Sequence, residues 1–141
     1  MGEDAVEQAL RSLRHRERSA AQIERHLEAR GVDEAARVDA LATLGRTGLV
    51  DDRRFAEARA RTLADRGAGD AFIRHDLNAA GVDRDTVEDA LGALEDELVR
   101  ARRVVERRGS DPRTARYLIG KGFSVEVAQA AVAGYGMESL G

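Results

Sequence analysis

Leu27-Glu28-Ala29-Arg30-Gly31-Val32 reads as the end of a helix: a Leu, a Gly four residues on, and an apolar residue directly after it. A left-handed Gly at that place closes a helix, and the apolar residue beyond it folds back onto the last turn. The same spacing returns in Leu77-Asn78-Ala79-Ala80-Gly81-Val82 and in Leu118-Ile119-Gly120-Lys121-Gly122-Phe123. Counted from these glycines, Ser19, Gly69 and Ser110 fall twelve residues before, and Leu13, Leu63 and Val104 eighteen before. Leu41, Leu91 and Val132 fall ten after, and Leu44, Leu94 and Tyr135 thirteen after. Agreement at so many offsets without a gap marks a threefold repeat.

Within each repeat the apolar spacing is helical. First helices carry Val6, Leu10 and Leu13; Phe55, Ala56 and Leu63; and Leu98, Ala101, Val104 and Val105. Second helices carry Ile23 and Leu27, Ile73 and Leu77, and Ala115 and Leu118. Third helices carry Val38, Leu41 and Leu44; Val87, Leu91 and Leu94; and Val127, Ala131 and Val132. Ser19 with Gln22 has capping-box spacing, Asp111-Pro112 pairs an N-cap acceptor with Pro at the first helical position, and Asp83, Ser124 and Asp70 are further helix-start residues. The fold expected is all-α, an elongated tandem array of three three-helix repeats over residues 1–50, 51–96 and 97–141.

The spacing between glycines shrinks from the first pair to the second, so the two joints differ. Gly48-Leu49-Val50-Asp51-Asp52 is a helix stop followed by a new N-cap, a joint able to bend. Between Leu94 and Val104 no such break is legible. The stripe Val87, Leu91, Leu94, Leu98, Ala101 and Val105 predicts one continuous helix running stiffly from the second repeat into the third.

Composition agrees with helices whose outer faces are charged: 43% apolar, 35% charged, 4% aromatic, one Pro and no Cys. Without cysteine there is no disulfide framework or thiolate metal site. The acidic start, Met1-Gly2-Glu3-Asp4, is no signal peptide, and no apolar span is long enough for a membrane, so a cytoplasmic protein is expected. Every basic residue except Lys121 is Arg, which fits the Ala, Gly and Asp bias of the chain as a whole.

Catalytic patterns are missing. His15, His26 and His75 lack the spacing that sets two ligands on one helix face, and Ser19, Ser110 and Ser124 are accounted for as caps. Gly67-Ala68-Gly69 and Gly120-Lys121-Gly122 do not continue into a phosphate-cradling Gly-Lys-Ser/Thr. No cofactor, metal or enzymatic activity is expected.

Charge carries more. Residues 76–97 hold eight acids against Arg84, whereas residues 98–121 hold eight bases against Glu106 and Asp111. A second basic stretch, 53–66, has five arginines. For any one Arg a solvated face or a surface ion pair is the simpler reading. The segregation as a whole suits a long, charge-patterned partner. A helix-turn-helix reading places the third helix of a repeat in the major groove, yet residues 33–46 contain no Asn, Gln or Lys and the next third helix is strongly acidic.

Three stretches resemble the RecX family of bacterial regulatory proteins: Arg16-Glu17-Arg18-Ser19, Gly48-Leu49-Val50-Asp51-Asp52-Arg53-Arg54-Phe55-Ala56, and Leu118 to Phe123. The second is the most specific, and the likeness runs from about Ala5 to Tyr135. The resemblance implies a monomeric, non-enzymatic tandem of three-helix modules that lodges in the groove of RecA filaments on single-stranded DNA. It implies restraint of filament growth, ATP hydrolysis and strand exchange, and hence a part in recombinational repair and the SOS response. Many relatives carry a basic run where this chain has Gly69-Asp70-Ala71-Phe72-Ile73-Arg74-His75-Asp76.

Expected filament contacts therefore shift to Arg53, Arg54, Arg59, Arg61 and Arg66 and to Arg100, Arg102, Arg103, Arg107, Arg113, Arg116 and Lys121. Ser19, Gly31, Gly48, Asp51, Asp52, Phe55, Gly81, Gly122 and Phe123 are expected to be architectural. The alternatives are an independent non-specific DNA-binding module, and an adaptor for an unrelated helix or peptide, for which few spare apolar residues remain.

Overall fold

The computed structural model describes the backbone of residues 2–14 and 16–140 and the side chains of residues 5–14 and 16–134. Tyr135, the repeat's counterpart of Leu44 and Leu94, and His15 lie outside the described side chains. The described residues form nine helices and no strand: α1 Gly2–Leu13, α2 Ala20–Ala29, α3 Glu34–Arg46, α4 Asp52–Asp65, α5 Asp70–Ala79, α6 Arg84–Gly92, α7 Glu97–Arg108, α8 Pro112–Gly120 and α9 Val125–Leu140. They pack in threes around separate cores. Ile23, Leu27, Ala40 and Leu44 centre the first, Phe55, Ile73, Leu77 and Val87 the second, and Val104, Val105, Leu118 and Phe123 the third.

Each second helix closes in the same way. Val32, Val82 and Phe123 donate backbone N–H bonds to the carbonyls of Leu27, Leu77 and Leu118 at 3.0–3.2 Å, and Gly31, Gly81 and Gly122 donate to the residues after those leucines. This is the Schellman closure, made possible by φ of +82°, +79° and +101° at the three glycines. Starts agree as well. Ser19 and Gln22 form the reciprocal capping box, and the carboxylates of Asp33, Asp51, Asp83 and Asp111 accept from the backbone three residues on. Ser124 Oγ does the same for Val127 N–H at 3.1 Å.

Other starts differ from expectation. Gly69, not Asp70, is the N-cap of α5, which leaves the Asp70 carboxylate for another use. Ser110 is not a cap either: its hydroxyl donates to the Val132 carbonyl at 2.7 Å, and Asp111 caps α8.

The predicted continuous helix from the second module into the third is broken. α6 stops at Gly92, and α7 restarts after Ala93-Leu94-Glu95-Asp96. The apolar stripe persists across the break because its residues serve two cores. Leu94 packs on the second core and Leu98 on the third. Three successive acids, Glu95-Asp96-Glu97, are better placed at a helix start, where the dipole favours them, than inside a helix. Two core assignments also fail. Val38 is 57% exposed and Leu10 38%, while Ala40 and Ala9 take the buried positions.

The modules meet end to end through their second helices. At the first joint Ser19 Oγ donates to the Ala80 carbonyl at 2.5 Å and Arg25 Nη2 to the Ala79 carbonyl at 3.0 Å, so the start of α2 faces the end of α5. At the second, Gly69 N–H donates to the Lys121 carbonyl at 2.9 Å and Ala71 N–H to the Gly122 carbonyl at 3.1 Å, so the start of α5 faces the end of α8. An acid opening the next first helix completes each joint. Asp52 accepts from Ala20 N–H at 2.8 Å, and Glu97 from Asp70 N–H at 2.7 Å.

A Cβ at Gly81 would collide with the Ala21 side chain, whereas one at Gly31 meets nothing within 4 Å. Gly31→Ala should cost about 1–2 kcal/mol for the left-handed backbone alone. Gly81→Ala should cost that and about 1–3 kcal/mol more from overpacking. Urea denaturation of both variants, each combined with Ala21→Gly, checks this: the second change should relieve Gly81→Ala and leave Gly31→Ala unrelieved.

Candidate functional site

α4 and α7 bring the two basic stretches of the sequence to one cleft. Arg61 from α4 and Arg103 and Arg107 from α7 stand along it, above an apolar floor of Ala64, Leu94, Val104 and Phe123. The cleft lies where the second and third modules meet and encloses about 600 Å³. Asp65, Glu95 and Glu106 also line it. Arg61 and Arg107 are exposed, and no carboxylate lies within ion-pair distance of either among the described residues. An open cleft with guanidinium groups over an apolar floor can pair with phosphate or carboxylate oxygens while covering a base or an apolar side chain.

Several of the expected contact residues are engaged inside the protein. Arg100 is 8% exposed, forms an ion pair with Asp70, and donates to the carbonyls of Ala68 and Glu95 at 3.0 Å. Its guanidinium also lies 5.8 Å from the Phe123 ring centroid. Arg100 is thus a pin between modules, nearly buried at the inner wall of the cleft. Arg59 holds Asp76 bidentately at 2.9 Å. Arg54 bonds Glu17 at 2.5 Å and the Gly48 carbonyl at 2.9 Å, tying α4 to the first module. Arg53 pairs with Glu57 at 3.3 Å, one turn along α4.

The remainder are spread over the third module and the end of α4. Arg66, Arg113 and Arg116 are exposed and Lys121 is half-buried beside Gly67. Arg102 lies against α9, near enough that a Cβ on Gly134 would come within 2.9 Å of its Nη2. Arg108 stacks over Tyr117 at 3.6 Å from the ring centroid, a contact the sequence reading did not anticipate. Among the architectural residues, Asp51 caps α4, Phe55 is 6% exposed in the second core, and Phe123 is buried in the third. The cleft floor, Leu94 with Phe123, was also missed, since its residues belong to modules read separately.

Folding reduces the charge segregation seen along the chain. Glu95, from the acidic block, meets Arg103 of the basic block at 2.5 Å, and Arg74 takes Glu88 at 2.9 Å. The hydrogen bond from Arg103, followed by its charge, holds the Glu95 carboxyl below the usual Glu value of 4.5. Arg74 does the same for Glu88. Among the described residues no group of three or more His, Cys, Asp or Glu side chains is placed to hold a metal ion, and no helix is long and apolar enough to cross a membrane.

Three helices per core, second helices abutting end to end, and a basic cleft between modules define a tandem three-helix repeat protein. The chain belongs to the RecX family of regulatory proteins. Residues 5–44 match the family model of RecX, first three-helix domain, and residues 51–91 that of RecX, second three-helix domain. The chain is 34% identical over 135 residues to regulatory protein RecX of Halorhodospira halophila (strain DSM 244 / SL1), covering 89% of this chain and 84% of that protein. It is 38% identical over 104 residues to regulatory protein RecX of Stenotrophomonas maltophilia (strain R551-3), covering 73% of this chain and 64% of that one. The crystal structure of RecX from Lactobacillus salivarius shares the fold at a TM-score of 0.83 and 21% identity, with 96% and 97% of the two chains covered. A second crystal structure of regulatory protein RecX gives 0.75 at 23% identity, with 92% of this chain and 70% of that one covered.

Two measurements separate pins from rim. Arg100→Met should lower stability by about 3–5 kcal/mol, because it leaves Asp70 partly buried without its cation. Arg61→Ala and Arg107→Ala should each stay within about 0.5 kcal/mol of the parent in urea denaturation.

The second concerns Glu95. A lowered folded-state pKa means that the pair's contribution is complete above the ordinary Glu range and disappears as pH falls through the folded value. Arg103→Met should return the Glu95 carboxyl to the ordinary range, which a carboxyl carbon NMR titration reads directly.

Proposed function

We propose that this chain binds RecA recombinase filaments on single-stranded DNA and restrains their extension, ATP hydrolysis and strand exchange, as a cytoplasmic regulator without catalysis of its own. The reading starts from RecX family membership. The observation that carries it in this chain is the convergence of the two basic stretches on one cleft, where Arg61 and Arg107 have no carboxylate partner among the described residues. Guanidinium groups over an apolar floor suit a composite surface of protein and phosphate, where forked hydrogen bonding and apolar cover act together. Arg113 and Arg116 on α8 extend the cationic surface beyond the cleft, and a tandem array offers a long face to a polymeric partner.

Exposed arginines outside the cleft also favour a second reading, direct non-specific binding to DNA. The two separate in one comparison. Filament binding predicts much tighter association with RecA on single-stranded DNA than with the same DNA alone. Independent DNA binding predicts equal affinity and a steep loss with salt, by about 0.7 in logarithmic slope for each phosphate neutralised.

Titration of RecA ATPase on single-stranded DNA is the decisive assay. The parent chain should inhibit hydrolysis, and the variant Arg61→Ala/Arg103→Ala/Arg107→Ala should need at least about tenfold more protein for the same inhibition, equivalent to roughly 1.4 kcal/mol of binding. Undiminished inhibition by the folded variant overturns the cleft as the contact surface. No inhibition by the parent chain overturns the reading itself.

A further inference from the structure

The first module carries a second basic recess, separate from the cleft. Gln8, Arg11 and Ser12 of α1, His26 of α2 and Arg30 at the end of α2 line a pocket of about 230 Å³. Ser12 Oγ and Gln8 Oε1, on two of the lining residues, are buried beneath its surface and hydrogen-bonded to nothing within the described residues. A buried polar group without a partner costs about 1–3 kcal/mol, so a side-chain turn that brings either group to a ligand in the recess is favoured. Arg18 stands beside them, its Nε donating to the Ser12 carbonyl at 3.0 Å.

The charges around this pocket have one sign. Its lining contains no carboxylate. Arg11 and Arg30 form no ion pair among the described residues; of the two acids that flank His26 in α2, Glu24 is taken up by Arg37 of α3 at 3.8 Å, and Glu28 is exposed and outside the lining. His26 reports the result: burial first, then the charges of Arg30 and Arg18, hold its imidazole below the ordinary histidine range. Water could satisfy the hydroxyl and the amide. It would leave the positive groups facing one another.

We infer that this recess between α1 and α2 is a binding site for a phosphate-class oxyanion, with Arg11 and Arg30 supplying charge and forked N–H donors and Ser12 and Gln8 supplying neutral ones. Half a turn of the Gln8 amide exchanges its orphan oxygen for the NH2 group, so both neutral groups can donate. Arrival of the anion reverses the field at His26 and draws a proton onto the ring, which adds a further donor. The ligand is a free phosphate or a phosphate of a nucleic-acid backbone, since both present the same oxygens. The site lies in the first module, so its test does not depend on the cleft or on RecA.

The test follows the His26 ring resonances of the full chain through a pH titration, in sodium chloride and in sodium sulfate at equal ionic strength. Assignment uses His26→Gln. Sulfate serves as the oxyanion because it does not titrate in the histidine range. The pKa of His26 should be about one unit higher in sulfate than in chloride, the size expected for an opposite charge at close range. The difference should vanish in Arg11→Met/Arg30→Met, which keeps the aliphatic stems in place. A His26 titration that is the same in both salts overturns the inference, and so does a sulfate effect that survives in the double variant. If the double variant does not fold, Arg11→Met and Arg30→Met separately should each diminish the effect, and an undiminished effect in both overturns it equally. Oligothymidylate and inorganic phosphate, titrated in parallel, identify the source: whichever saturates the His26 shift at the lower phosphate concentration is the natural form of the ligand.

Discussion

Everything in this fold depends on one contact, the meeting of a helix start with a helix end. The opening turn of α2 sits on the closing turn of α5, and the opening turn of α5 sits on that of α8. Carbonyls orphaned at the end of one helix are satisfied by donors at the start of another, side chains at the first joint and backbone N–H groups at the second, and the aligned dipoles attract. The arrangement is exacting about side chains. Gly69 has no room for a Cβ because the backbone of Gly122 and Phe123 lies against it, and Gly81 has none because of Ala21. The glycines that end second helices therefore permit the left-handed turn and, at the second and third, also let the preceding module approach.

That contact explains the acids and arginines at the module starts. Asp51 caps its own helix, while Asp52 reaches back to cap α2 at Ala20. Glu97 repeats the reach at Asp70, and Asp70, being held there, presents its carboxylate to Arg100. An Asp-Asp pair that looks redundant in sequence is thus divided between two helices. Similarly, the basic block of the third module contributes Arg100 to the joint and Arg103 to an ion pair with Glu95, which leaves Arg107 on the rim of α7 without an acid among the described residues.

Local patterns were legible in the sequence wherever a residue's role concerns its own helix. The three closing turns, the capping box at Ser19 and the Asp111-Pro112 start all follow from backbone groups a few residues away. The break between α6 and α7 was not legible, because a stripe at helical spacing is equally consistent with one helix and with two cores that share a boundary. Gly92 and the acids after it were the signal against continuity, and they are weaker than six apolar residues in phase. The role of Arg100 at the joint was not legible for a related reason. In a run of arginines nothing local marks the one that turns inward, since its partners, Ala68 and Asp70, lie some thirty residues away in sequence. Burial at a joint is a property of two modules, and a pattern read within one cannot reveal it.

The third module shows how little separates a helix start that makes this joint from one that does not. At the positions twelve and ten residues before the closing glycine, the second module has Gly69 and Ala71, both of which donate backbone N–H groups across the joint. The third has Ser110 and Pro112 there. Proline has no N–H to give, and the Ser110 hydroxyl is committed to Val132 within its own module, whereas the Ser19 hydroxyl crosses to Ala80. The opening of α8 therefore repeats neither the N–H that Ala71 supplies nor the hydroxyl that Ser19 supplies, although its helix is otherwise capped as well as the others. At the opposite end, the turn at Gly31 has the same left-handed geometry as Gly81 and no neighbour within 4 Å. Three nearly equal sequences thus give modules with unequal ends, because the joint is set by which start residues carry a free donor and which closing glycines are approached.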